Sequence, residues 1–64
     1  MKDALLFNEA CQLIGLAVIR LHQHGLEVNS GNILAHLQAH ASMAEHAPRQ
    51  RQIAETAIDI LGDL

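Results

Sequence analysis

Two histidines four residues apart, His36 and His40 in the stretch HLQAH, are the first residues of this 64-residue chain whose types and spacing suggest chemistry. On a helix, two histidines at this spacing share one face and form half of many zinc sites. Zinc needs three or four ligands, and the remaining candidates have no fixed spacing to this pair: Cys11, His22, His24, Glu45 and His46. The pattern therefore favours boundary histidines of an amphipathic helix, with a metal site as an alternative.

The five histidines also offer proton-dependent chemistry, because each gains a proton between about pH 5 and pH 7. Protonation of all five would change the formal net charge from −3 to +2. A second alternative for His36 and His40 is therefore a contact that changes with pH, with an acid-dependent change in association or partner binding.

Other catalytic chemistry has little support in the sequence. The single cysteine, Cys11, lies at the edge of an apolar stripe with no cation near it to stabilise a thiolate, so we expect a small buried hydrophobic residue. The sequence contains no glycine-rich phosphate loop, no nucleophile beside a placed base and no paired carboxylates. We expect a protein that is not an enzyme and needs no cofactor.

The charge balance argues against nucleic acid as the principal ligand. Four Lys and Arg residues stand against seven Asp and Glu residues, whereas phosphate backbones are bound by clustered cations. Residues 13–41 have a helix, glycine turn, helix pattern, but the second of these helices lacks Lys and Arg. Direct DNA binding is not expected, and a DNA-associated co-regulator stays open as an alternative.

The segment near the N-terminus does not match a signal peptide, because Asp3, Asn8 and Glu9 interrupt its apolar residues. No uninterrupted run approaches the roughly 18 apolar residues of a membrane span. A single cysteine fits a reducing compartment. We therefore expect a cytoplasmic protein that does not enter a membrane.

Three helices must position these side chains, at about 3–24, 31–41 and 48–61, which predicts an all-α fold with short loops. Asp3 can cap the first helix, and Gly25 can end it in the left-handed conformation with Leu26 as the accompanying apolar contact. Asn29 or Ser30 can cap the second helix, and Pro48 suits the first turn of the third. The apolar residues expected to hold the helices together are Val18, Leu21, Val28, Ile33, Leu37 and Ile53, beside stripe positions that include Phe7, Ala10, Leu13, Ala17, Ala57 and Leu64.

Three apolar residues of the first helix, Leu5, Leu16 and Ile19, fall outside its main stripe. A chain of this length folded alone buries only about 60% of the surface that its unfolded form exposes, and one cysteine cannot form an internal disulfide. We therefore predict that Leu5, Leu16 and Ile19 form an interface with a second copy of the chain or with another protein.

Residues 13–37, LIGLAVIRLHQHGLEVNSGNILAHL, resemble the core of the YmgB/AriR family of biofilm-development and acid-resistance regulators of enteric bacteria. The resemblance depends on the joint spacing of several residues, and the third helix is compatible with it through Arg51, Ile53, Thr56, Ile60 and Leu61. The residues that carry the resemblance are Gly15, Ala17, Val18, Leu21, Gly25, Val28, Asn29, Asn32, Ile33 and Leu37.

This resemblance implies a small helical homodimer that regulates without catalysis. Members of the family are connectors that feed stress signals into the Rcs phosphorelay and so affect capsule, biofilm formation and acid resistance. Some members resemble Hha-type nucleoid co-regulators, for which DNA association has been proposed. The family brings no catalytic residues to this chain, whose few basic residues argue further against direct DNA binding.

Overall fold

The computed structural model describes residues 4–64, and three α-helices make up most of that range. They are α1 (Ala4–Gln23), α2 (Ser30–Met43) and α3 (Pro48–Gly62). No strand occurs within residues 4–64, so the prediction of an all-α fold with three helices is confirmed. The observed ends lie within one or two residues of the expected ones, and the expected cap at Asp3 lies outside the described residues.

The turn that ends α1 has the predicted glycine geometry. Gly25 has φ 71, in the left-handed region that favours glycine. The Gly25 N–H donates to the His22 carbonyl at 3.0 Å, and the Leu26 N–H donates to the Leu21 carbonyl at 2.9 Å. This pair of hydrogen bonds is the Schellman motif, which satisfies carbonyl groups that the end of a helix leaves free.

The start of α2 is fixed by Asn29, which settles the choice between Asn29 and Ser30. Its backbone is extended, and its side-chain oxygen accepts a 2.8 Å hydrogen bond from the Asn32 N–H. The Asn32 side chain in turn donates to the Glu27 carbonyl at 2.7 Å. These bonds hold the short loop against the first turn of α2.

The start of α3 is tied to α1. Pro48 lies in the first turn as predicted, where its missing N–H costs no hydrogen bond. The Arg49 side chain donates to the Glu9 carboxylate at 2.7 Å. Further along α3, Arg51 donates to Glu55 at 3.1 Å, an ion pair between residues four positions apart on one helix.

The core is one cluster between the three helices, and Leu37 is its largest fully buried side chain. Four of its members are alanines, whose small side chains let helices approach closely. Half-buried residues such as Val18 and Ile60 pack around the cluster. The buried members are Ala10, Leu13, Ala17, Leu21, Ile33, Leu37, Ile53, Ala54 and Ala57.

Four expected core positions are wrong. Cys11 is exposed, and Phe7 is 52% exposed, because both lie on a side of α1 that α2 and α3 do not cover. Val28 is 43% exposed, because it lies in the loop before α2 rather than on a helix. Leu64 is 96% exposed, because it follows the end of α3.

Candidate functional site

The surface of α1 that α2 and α3 leave uncovered carries Leu5 and Ile19, and Leu16 lies at its edge, where it also lines a groove with Gln50 and Ile53 of α3. Leu5 is 62% exposed, Ile19 is 55% exposed and Leu16 is 38% exposed. The opposite side of α1 contributes its buried stripe to the core. We call the part of the exposed surface of α1 that carries Leu5, Leu16 and Ile19 the outer face of α1, and do not count the 52% exposed Phe7 in it. Its role as an interface stays a prediction.

The outer face also lacks charge. Glu9 and Arg20 are the charged residues of α1, and their separation of eleven residues places them on one edge of the helix, beside the outer face. The side chains between the apolar residues are uncharged, as with Asn8 and Gln12. A helix surface that faces only water usually carries charged residues, so this composition is typical of a surface that contacts another molecule.

The apolar character of α1 exceeds the sequence expectation. An 18-residue window within Ala4–Gln23 has a mean hydropathy of 1.5, so α1 is long enough and apolar enough to cross a membrane by these two criteria. A span was not expected because no uninterrupted apolar run approaches 18 residues, whereas a mean over 18 residues tolerates several polar residues among many apolar ones. Although 22% of the window is buried and Leu6, Ile14 and Val18 also pack partly buried against the core, the exposed residues of α1 remain open to a contact.

His36 lies on α2 in a groove beside the C-terminal end of α1. The groove is lined by Arg20, Leu21, Gln23, His24, Leu26 and His36. The Nδ1 atom of His36 is buried and has no hydrogen-bond partner within residues 4–64. Burial lowers the pKa of His36 below its ordinary value, and the nearby charges of Arg20, His40 and His24 lower it further.

His40 lies one helical turn further along α2 and lines a second groove, with Leu13, Leu16 and Gln50 among its neighbours. Arg20 therefore lies near His36 and Leu13 near His40, so α1 and α2 run in opposite directions. Within residues 4–64, no three His, Cys, Asp or Glu side chains come together in a way that could hold a metal ion. Among the described residues, His36 and His40 thus have no third ligand of the kind that a zinc site requires.

Sequence reasoning did not connect Arg20 with His36. A local signal existed, because Arg51 has an acidic partner four positions away on its own helix, Glu55. Arg20 has no acidic residue three or four positions away on its own helix. The proximity of Arg20 to His36 in this groove depends on how α2 packs against α1. The spacing of residues within one helix does not determine that packing.

Comparison with known proteins does not place the chain in a family. No family profile matches it, and neither a curated protein nor a solved structure shows significant similarity. The resemblance of residues 13–37 to the YmgB/AriR family therefore stays a prediction.

Proposed function

We propose that this protein is a small regulatory protein without catalytic activity that acts by binding another protein through the outer face of α1. The observation that carries the proposal is the exposure of Leu5, Leu16 and Ile19 on a helix side without charged residues. Apolar area contributes about 25 cal/mol per Å² when it is removed from water, so covering these side chains favours association.

The small size of the core supports the same proposal. Nine residues form the buried cluster, four of them alanine, so the chain buries little large apolar surface by itself. A domain of this size is marginally stable when it folds alone, and an interface that covers α1 would add to the free energy of unfolding. We propose a homodimer as one consequence of this surface.

The resemblance to the YmgB/AriR family makes the proposal more specific. On that basis the partner is a regulatory protein of a phosphorelay such as Rcs, and the cellular outcome is control of biofilm formation, capsule and acid or stress resistance. A cytoplasmic location belongs to the same proposal. The resemblance of residues 13–37, rather than the outer face itself, supports these details.

Two alternative ligands, DNA and a membrane, have less support. Arg49 and Arg51 begin α3, but their charges already meet Glu9 and Glu55, which weakens them as phosphate contacts of a DNA-associated, Hha-like co-regulator. A membrane could cover the apolar α1. To span the membrane, however, α1 would have to withdraw Leu13 and Leu21 from the core that it shares with α2 and α3.

The experiment is a pull-down from bacterial lysate with the tagged full chain, with and without nuclease, at two salt concentrations. The proposal predicts a regulatory protein that is retained after nuclease treatment and at the higher salt. Recovery of nucleoid proteins that disappears with nuclease would instead support the DNA-associated alternative. Sedimentation velocity of the purified chain tests the homodimer, and co-sedimentation with phospholipid vesicles tests the membrane.

A further inference from the structure

The groove beside the C-terminal end of α1 combines positive charge with exposed apolar surface. Arg20 and His24 lie on one side of it and His36 on the other, while the 55% exposed Leu26 supplies apolar surface. No Asp or Glu lines the groove. This is unexpected in a chain whose formal net charge is −3, because acidic residues outnumber basic ones overall.

The guanidinium of Arg20 has no ion pair within residues 4–64. Arg49 and Arg51 provide the comparison, because each contacts a carboxylate of the same chain, at 2.7 Å and 3.1 Å respectively. The nearby Glu27 does not line the groove, and its carboxylate accepts a hydrogen bond from the Asn29 side chain. Arg20 is thus left with its hydrogen-bond donors directed to solvent or to a ligand.

The groups that act on His36 are all cationic or can become so. Arg20 and His24 face it from α1 and the following turn, and His40 lies beside it on α2. No residue of α3 lines this groove. A ligand with negative charge would offset the mutual repulsion of these groups, whereas a neutral or positive ligand would not.

We propose that this groove binds a carboxylate-bearing segment of a protein partner. An Asp or Glu side chain of the partner pairs with Arg20, whose planar guanidinium can donate two parallel hydrogen bonds to one carboxylate. An apolar side chain of the same segment packs on the exposed Leu26. The inference rests on the proposed function only in taking the ligand to be a protein.

Acid strengthens this binding. Protonation of His36, whose pKa is lowered below its ordinary value of about 6.5, adds positive charge to the groove, while the carboxylates of a peptide stay ionised down to about pH 5. Affinity therefore rises as the pH falls below about 6.5, and His36→Gln reduces that dependence.

The test uses the full chain and a synthetic amphipathic helical peptide with leucine on one face and glutamate on the other. Its twin peptide has glutamine in place of every glutamate. Titration calorimetry at about pH 6 is expected to give at least about tenfold tighter binding for the glutamate peptide. Arg20→Gln reduces that affinity to the level of the twin, whereas the control Arg51→Gln, outside the groove, leaves it unchanged.

Equal affinities for the two peptides, or equal effects of Arg20→Gln and Arg51→Gln, would overturn the proposal. Saturation by inorganic phosphate without peptide binding would overturn it as well. Circular dichroism of each variant excludes unfolding as the cause. Ile19→Glu changes the outer face and leaves peptide binding unchanged. The groove is therefore tested by Arg20→Gln and the proposed function by Ile19→Glu, so that a negative result for one is distinguished from a negative result for the other.

Discussion

His36 and His40 lie one turn apart on α2 but line different grooves, His36 with Arg20 and His24, and His40 with Leu13 and Leu16. The two imidazoles therefore experience different surroundings although they share one side of the helix. His36 has a buried Nδ1 without a partner in residues 4–64, beside a guanidinium. The spacing that suggests a metal site instead distributes the two histidines along the seam between α1 and α2.

The stability of the chain is expected to fall with acid because of His36. Its pKa is lowered in the folded chain, so the unfolded chain takes up the proton first. The contribution of His36 to the free energy of unfolding is fully present above the ordinary histidine pKa of about 6.5. It decreases as the pH falls towards the lower pKa of His36 in the folded chain. Urea unfolding at about pH 8 and about pH 5.5 measures the loss.

His36→Gln should reduce this loss of stability between the two pH values. The control is His22→Gln, which changes an exposed histidine outside the groove and should keep the pH dependence of the unaltered chain. The same pH dependence in all three proteins would show that His36 is not responsible.

Leu37→Ala is expected to destabilise the fold strongly, because Leu37 is fully buried between the helices. Removing a buried leucine side chain costs about 2–5 kcal/mol of the free energy of unfolding. The neighbouring exposed residue offers a control, Gln38→Ala, with an expected change within about 0.5 kcal/mol. Chemical denaturation followed by circular dichroism measures both, and a similar small change in the two variants would contradict the described core.

Asn29→Ala is expected to lower the free energy of unfolding by about 1 kcal/mol, because the first turn of α2 loses the 2.8 Å cap to the Asn32 N–H. Asn29→Ser supplies another side-chain oxygen at the same position and should retain most of the stability. The comparison of the two variants in thermal unfolding isolates the cap. An equal loss for alanine and serine would argue against it.

Zinc is expected to leave the melting temperature unchanged, because His36 and His40 have no third ligand among residues 4–64. Thermal unfolding with added zinc and with a chelator provides the measurement. A rise in melting temperature with zinc that His36→Gln abolishes would show that a metal site forms, for example from the histidines of two copies.

The local features of the fold could be predicted from the sequence because each depends on neighbouring residues. The left-handed turn at Gly25, the cap at Asn29 and the Arg51–Glu55 pair all follow from spacings of five residues or fewer. Cys11 and Phe7 were placed wrongly because a helical wheel gives directions but not the width of the buried stripe.

The features that could not be predicted join residues far apart in the sequence. Arg49 meets Glu9 across 40 positions, and the groove needs Arg20 and His36 on different helices. Both depend on how the helices pack, since periodicity within a helix shows which side is apolar but not which helix covers it. The exposure of Leu5, Leu16 and Ile19 could be predicted because these residues fall outside the main apolar stripe of α1.

The most direct measurement of the central claim compares capture of partner proteins by the tagged chain and by two glutamate variants. Ile19→Glu puts a charge on the outer face. Met43→Glu puts the same charge at the end of α2, where the Met43 side chain is 87% exposed. We predict that Ile19→Glu retains its helical circular dichroism and loses the partner, while Met43→Glu keeps it. Equal recovery with both variants would contradict the account.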